Sequence, residues 1–412
     1  MTAIRPVSVT RGRSLCGSSL NACGCAWHAG LLCGSAPSSM LSRNVYVVNR
    51  ALAMSLSRPS AEVYARIRRR PGGGGGMVTS RDVAKLAGVS QATVSRVLSD
   101  SPAVTSTTKR RVLAAIQASG YVPDVRARAM KTSRSGNVGV VVADLSNPYY
   151  PEVLEKLDNS LSSRGLRMSV WVTDGATGAS GGESAALRAI RSRSVDGVIF
   201  TSITPGLPEL REALELGSPV VLLNRKAPEL DVDAVVSDNV RGSELLTRRL
   251  LDHGRTRPAF VGGAPTASTS SDRLEGFTAA LRAHGLPVVE HRIVLGRYSY
   301  GFGFESMQRL LQTDPSIDSV VCSNDILAFG ALDAARSLGR AMPNGLWVAG
   351  FDDVQMSSWH SFDLTTVGID MNRLAQEATR LLLQRLDEPS RAAEVVTLAP
   401  ELIIRGSAPF AP

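Results

Sequence analysis

Gln91 and Arg96 stand in the polar run Ser90-Gln-Ala-Thr-Val-Ser-Arg-Val-Leu98, and their side chains match two base edges. In a DNA major groove, glutamine pairs bidentately with adenine and arginine with guanine. Thr93 and Ser95 are placed to bond phosphate and so fix the register of such a contact. Thr79, Ser90 and Ala92 complete the DNA-facing set. Chemistry of this kind needs a short helix whose N-terminal residues reach the groove.

A second set of polar residues closes or follows apolar runs: Asp144, Ser146, Asn147, Thr201, Ser202, Asn224, Arg225, Asp238, Asn324, Asp325, Asp352 and Asp353. Tyr149, Tyr150 and Tyr298 lie close by in sequence. Carboxylates and amides hold hydroxyls, and a ring packs on a sugar face, so the set suits a small polyhydroxylated ligand. Loop capping and interlobe salt bridges are an equally ordinary use of any one of them. Enzyme signatures are missing: there is no GxGxxG after a strand, no GxSxG and no HExxH. Gly262-Gly-Ala-Pro reads as a strand-end turn. His253, His284, His291 and His360 are scattered and are expected to be solvated.

The elements that must carry these residues are legible. Thr79 is an N-cap, and Asp82 completes an acidic capping box. Val83, Ala84, Leu86 and Ala87 give one apolar face, and Gly88 ends the first helix. Ser90 caps a second helix over Gln91–Leu98, with Val94, Val97 and Leu98 inward and Gln91, Ala92, Ser95 and Arg96 outward. Thr105 caps a third helix near 106–118, whose Val112, Leu113 and Ile116 face the first two. Asp124, after Pro123, begins a short helix bearing Arg126, Arg128, Lys131 and one apolar tip, Met130. It is too short to be stable alone and should fold only on a partner such as a minor groove.

From residue 138 onward, short β-branched runs alternate with helical stretches. Runs at 138–143, 168–172, 197–200 and 220–223 read as buried parallel strands, and 259–261, 320–322 and 346–350 as a second set. Helices at 153–164, 241–252 and 274–284 intervene. The fold expected is α/β: an all-α helix-turn-helix headpiece plus two doubly wound parallel-sheet lobes.

Charge divides the chain. Residues 1–76 hold ten Arg and one acid, Glu62; residues 77–135 hold ten basic and three acidic side chains; residues 136–412 are net negative. A basic headpiece on an acidic body fits a protein that touches phosphate at one end. Cys16, Cys23, Cys25 and Cys33 lie in the N-terminal extension, and Cys322 in an apolar run is expected to be a buried thiol, as in a reducing cytoplasm. No apolar run approaches a membrane span. The extension 1–76 shows no periodicity and is expected to be disordered. It reads as translation from upstream of a true start at Met77, with a targeting peptide or a Cys/His metal site as alternatives.

From Met77 to about Gly406 the chain resembles the LacI/GalR family of transcriptional repressors, through D-V-A-K-L-A-G-V-S-x-x-T-V-S-R-V-L in the headpiece. The resemblance implies a headpiece at 77–123, a hinge at 124–135 and a periplasmic-binding-protein-type, two-lobed effector and dimerisation domain at 136–412. It implies that the hinge enters the minor groove with Met130 at the wedge position, where the family usually has Leu. It further implies effector contacts from Asn147, Tyr149, Tyr150, Asn224, Thr269, Arg273, Tyr298, Asn324, Asp325, Asp352 and Met371. The stretch 364–367 would be the crossover to the first lobe. The expected partners are double-stranded operator DNA, a sugar or sugar derivative, and a second copy of the chain, since no leucine-heptad tail follows. No cofactor, metal or membrane is expected. A sugar-binding transport receptor shares the two-lobed fold, but it would need a secretion signal and no DNA module.

Overall fold

The computed structural model describes residues 78–99, 101–122, 134–173, 181–203 and 208–410. The extension 1–76, the start placed at Met77 and the hinge residues Asp124, Arg126, Arg128, Met130 and Lys131 lie outside the described residues.

Helices α1 (Ser80–Ala87), α2 (Gln91–Leu98) and α3 (Ser106–Ser119) form the headpiece. Thr79 Oγ1 accepts from the Asp82 amide at 3.4 Å, while the Asp82 carboxylate accepts from the Thr79 amide at 2.9 Å. These reciprocal bonds satisfy donors that a helix start would otherwise leave open. Gly88 ends α1 at a φ of 61°, which a side chain would resist. Ser90 and Thr105 cap the next two helices as expected. Val83, Val94 and Val112 are fully buried where the three helices meet. Leu113, expected inside, is 46% exposed. The inward stripe of α3 is Val112, Ala115 and Ile116, and Leu113 stands about 100° round the helix from Val112. Arg111 donates to the carbonyls of Ala87 and Gly88 at 2.5 and 3.1 Å, so the turn between α1 and α2 is held from α3.

The body contains two six-stranded sheets. The first comprises β1 (Asn137–Val142), β2 (Arg167–Val172), β3 (Gly197–Phe200), β4 (Val220–Leu223), β5 (Asp233–Ser237) and β11 (Val395–Leu398). Its order is β11-β5-β4-β3-β1-β2, parallel throughout. The second comprises β6 (Pro258–Gly262), β7 (Ile293–Leu295), β8 (Ser319–Cys322), β9 (Trp347–Asp352), β10 (Thr365–Gly368) and β12 (Glu401–Ile403). Its order is β12-β10-β9-β8-β6-β7, with β12 antiparallel to β10. Helices α4 (Tyr149–Ser162), α5 (Gly181–Arg191), α6 (Pro208–Glu215) and α11 (Met371–Asp387) belong to the first lobe. Helices α7 (Asn239–Asp252), α8 (Ser268–Ala283), α9 (Tyr300–Thr313) and α10 (Asp325–Ser337) belong to the second.

Strand order reverses between β3 and β1 in one sheet and between β8 and β6 in the other. Ligands of such sheets bind beyond the carboxyl ends of the strands at these reversals. The chain crosses between lobes three times: at Asp238, between Gly368 and Met371, and between Leu398 and Glu401. The Asp238 amide donates to the Leu398 carbonyl at 2.9 Å, tying two crossings together.

Three expectations needed correction. Strand β2 is an edge strand with only β1 beside it, so Val170 and Val172 are exposed rather than buried. Residues 365–367 are not the crossover but part of β10 in the second sheet; the crossing follows after Gly368. Three of the histidines are engaged: His284 lies 3.0 Å from Asp252, His291 lies 3.4 Å from Asp314, and His253 packs against Trp347 and Phe410. Cys322 is a fully buried thiol, as expected.

Candidate functional site

The carboxyl ends of the strands converge on a cleft of about 240 Å³ between the lobes. The first lobe contributes Asn147, Tyr149 and Tyr150 from the start of α4, and Asn224 and Arg225 from the end of β4. The second contributes Thr269 and Arg273 from α8, Tyr298, Asn324 and Asp352. Nine of the eleven effector residues named from the sequence therefore line one cavity.

Arg273 is 2% exposed and is held on every side. Its Nε donates to Asn239 Oδ1 at 2.7 Å and its Nη1 to the Ser323 carbonyl. The guanidinium lies 3.7 Å from the centre of the Phe351 ring. Its Nη2 is 3.2 Å from Asp352 Oδ1, close enough to pair by charge but not aligned as a hydrogen bond. Arg225 donates through Nη1 to Thr269 Oγ1, which lies 3.2 Å from Tyr298 Oη. The Tyr149 and Tyr150 rings meet edge to face at 5.4 Å.

Five buried polar atoms in this cleft have no hydrogen-bond partner among the described residues: Tyr149 Oη, Asn224 Oδ1, Arg225 Nε, Arg273 Nη2 and Asp352 Oδ1. An unpaired buried polar group costs about 1–3 kcal/mol. Arg273 Nη2 and Asp352 Oδ1 offset one another by charge; the other three, in one cavity, suit a polar molecule of donors and acceptors. The backbone is strained at the same place: Asn224, Asp352 and Asp353 have φ of 61°, 119° and 53°. Such conformations persist where surrounding structure holds them, and they cluster at ligand sites.

Burial sets the charge states. It pushes the Asp352 carboxyl up to about 6, opposed by the Arg273 guanidinium. Desolvation also raises the phenols of Tyr149 and Tyr150.

Two of the eleven residues do other work. Asp325 accepts from the Val354 amide at 3.0 Å, from Ser357 Oγ at 2.7 Å and from Thr366 Oγ1 at 2.6 Å. Its carboxylate is committed to the β9 and β10 ends, and burial pushes it up to about 8. Met371 begins α11 inside the apolar core, outside the cleft lining. Loop capping also accounts for Asp144, which accepts from Ser146, and for Asp238, which caps α7. Asp353 pairs with Arg405 at 2.7 Å, and Thr201 bonds the Val141 carbonyl. Asn147 and Asn324 do both, since each carboxamide oxygen accepts a nearby backbone amide while the residue lines the cleft. Arg225 stood among the strand-end residues but outside the effector set; only the fold shows it turned into the cavity.

Besides the Arg225–Thr269 bond, three contacts bridge the lobes around the cleft. Glu152 Oε1 accepts from the Gln355 amide at 2.8 Å. Lys226 Nζ pairs with Asp272 at 2.9 Å, and its amide donates to Ser268 Oγ at 3.1 Å. A second cavity lies on the second lobe at Phe277, Leu281 and Leu286; its Arg292 is paired with Asp314.

The headpiece presents Gln91, Ala92 and Arg96 to solvent, with Thr93 and Ser95 half-buried beside them. Gln91 Nε2 donates to Ser80 Oγ at 2.8 Å, and the Ser90 and Thr93 hydroxyls lie 2.9 Å apart. Thr79 and Ser90 stand at the two helix N-termini, where amide dipoles favour phosphate.

Comparison with known proteins agrees with this architecture. Residues 79–124 match the family described as bacterial regulatory proteins, lacI family. Residues 135–389 match periplasmic binding proteins and the sugar binding domain of the LacI family. The ribose operon repressor of Escherichia coli is 29% identical over 334 residues, 81% of this chain and 100% of that protein. The transcriptional regulator DegA of Bacillus subtilis is 30% identical over 332 residues, 80% of this chain and 97% of that protein. Among solved structures, a CelR–cellobiose complex superposes with a TM-score of 0.62 at 29% identity, covering 80% of this chain and all of that one. The lac repressor dimer bound to operator shares the fold, at 22% identity and a TM-score of 0.69, over 81% of this chain and all of that one. The chain belongs to the LacI family of bacterial transcriptional regulators.

Proposed function

We propose that this protein represses transcription in the cytoplasm as a homodimer whose grip on operator DNA is set by a sugar-like molecule bound between its lobes. The observation that carries the reading is the set of buried polar atoms without hydrogen-bond partners around one interlobe cleft, Tyr149 Oη, Asn224 Oδ1 and Arg225 Nε beside the Arg273–Asp352 pair, in a chain that also has a capped helix-turn-helix. A molecule rich in hydroxyls pairs with such a set from both lobes at once. It thereby favours one angle between the lobes over another. The relatives named for ribose and cellobiose support a sugar-type ligand.

On the DNA side, Gln91 and Arg96 read base edges, with Ala92 against the groove, and Thr79, Ser90, Thr93 and Ser95 position on phosphate. Gln91 exchanges its bond to Ser80 for one to a base. Arg126, Arg128 and Met130 are assigned to the minor groove on sequence alone.

The test is selection of binding sites by the full chain from random duplex DNA. A pseudo-palindrome of two half-sites is expected. Arg96→Ala should cost about 1–3 kcal/mol per half-site and relax preference at one guanine. No enriched sequence, or equal loss on every sequence with Arg96→Ala, would overturn the operator reading or the Arg96 assignment respectively.

A further inference from the structure

Three ionised side chains line the interlobe cleft: Arg225, Arg273 and Asp352. Arg273 and Asp352 pair with one another. Arg225 has no carboxylate within 4.0 Å among the described residues, although it is only 7% exposed. Its bonds are to neutral hydroxyls, on Thr269 and Tyr150, and Asp352 acts on it only at longer range. Its Nε is buried without a partner. A guanidinium does not deprotonate in proteins, so it cannot escape burial by losing its charge. A buried, unpaired cation is among the most costly arrangements a fold can hold. Two further features raise the positive potential here. Helix α8, which supplies Thr269 and Arg273, starts at Ala267 with no side chain capping it, so the positive end of its dipole faces the same region. The other cation beside it, Lys226, is already matched by Asp272.

We infer that the molecule this cleft takes is an anionic sugar, a polyol bearing one carboxylate or phosphate group, with that group on Arg225 and the hydroxyls shared among Tyr149, Asn224, Arg273 and Asp352. This rests on the effector reading above and narrows it. The anion supplies the counter-charge that Arg225 lacks and accepts the Nε hydrogen through a charge-assisted bond. A neutral sugar would satisfy the hydroxyl and amide partners but leave the buried charge unbalanced.

The test is a thermal-shift and calorimetric panel on the full chain, in low-chloride buffer at pH 7.5. D-gluconate, D-glucuronate, D-galacturonate, glucose 6-phosphate and ribose 5-phosphate are each set beside their neutral parent sugars, with cellobiose as a further neutral probe. At least one acid or phosphate should stabilise the protein while its neutral parent does not, and the two anion classes separate a carboxylate site from a phosphate site. Arg225→Gln should weaken that anion by about 10- to 100-fold, as expected for a hydrogen bond to a charged group. Arg225→Lys, which keeps the charge, should retain part of the affinity. A neutral sugar that binds as well as its acid overturns the inference and leaves the effector reading standing. So does an anion whose affinity is unchanged in Arg225→Gln. Absence of response to every anion in the panel also overturns it, and operator selection then judges the regulatory reading separately.

Discussion

Arg273 shows what a single residue can do in this fold and why it is a poor probe of it. Its guanidinium joins Asn239, Ser323, Phe351 and Asp352, so truncation would strand a buried carboxylate and two acceptors. Breaking a buried pair in this way costs about 3–5 kcal/mol, enough to confuse lost ligand with lost fold. Tyr149→Phe is the cleaner substitution, because it removes only a hydroxyl that has no partner among the described residues. Asp352 offers a second handle. Its carboxyl is raised to about 6, chiefly by burial. The groups acting on it are Arg273 and Arg225, which favour its ionised form, and Glu152, which opposes it; Asp325 lies near enough to couple with it. Because the folded value lies above the unfolded one, its contribution to stability is full below about pH 4 and is lost as pH rises to about 6. Protonation also removes the negative charge nearest the two arginines. An anionic ligand should therefore bind more tightly at pH 5.5 than at pH 7.5, measured by calorimetry in matched ionic strength. A ligand bound more weakly at the lower pH would instead be leaning on the ionised carboxylate as an acceptor.

At the scale of elements, the headpiece was the most legible part of the chain. Caps, the glycine turn and the apolar spacing are local signals, and α2 runs over Gln91–Leu98 as they imply. Thr79→Ala should lower headpiece stability by about 1 kcal/mol, since it removes one half of a reciprocal cap. Amide exchange across α1 should quicken accordingly; unchanged protection would mean that packing against α3 alone holds the helix. Arg111, which holds the α1–α2 turn from 23–24 residues away, left no sequence signal, because its partners are backbone carbonyls. The strands were less legible. Runs such as Val220–Leu223 are fully buried and read directly. Strands β7 and β12 have three residues each, below what periodicity can reveal. Edge position misled the reading of β2, because pairing order is a property of the whole sheet. The cleft residues followed from the family pattern and from strand ends, but Asp325 shows the limit. A carboxylate beside Asn324 looks like a ligand group until Ser357 and Thr366, which are 32 and 41 residues away, are seen to hold it.

The whole molecule is organised so that one cleft can command the lobes. Three crossings leave the lobes joined by short segments, and the bridges Glu152–Gln355 and Lys226–Asp272 stand around the cavity. A ligand that adds bonds to both lobes would favour this bridged arrangement over one in which the bridges are broken, and it would shift operator binding only by its differential affinity for the two. In the proposed dimer that difference would be expressed as the spacing of two headpieces. The most direct measurement is reciprocal titration of the full chain with its selected operator and with the panel ligand that stabilises it. The account predicts that the ligand changes operator affinity by some factor, that operator changes ligand affinity by the same factor, and that Tyr149→Phe diminishes the ligand response. A ligand that binds the cleft of the wild-type protein, loses affinity in Tyr149→Phe, and yet leaves operator affinity unchanged would contradict it.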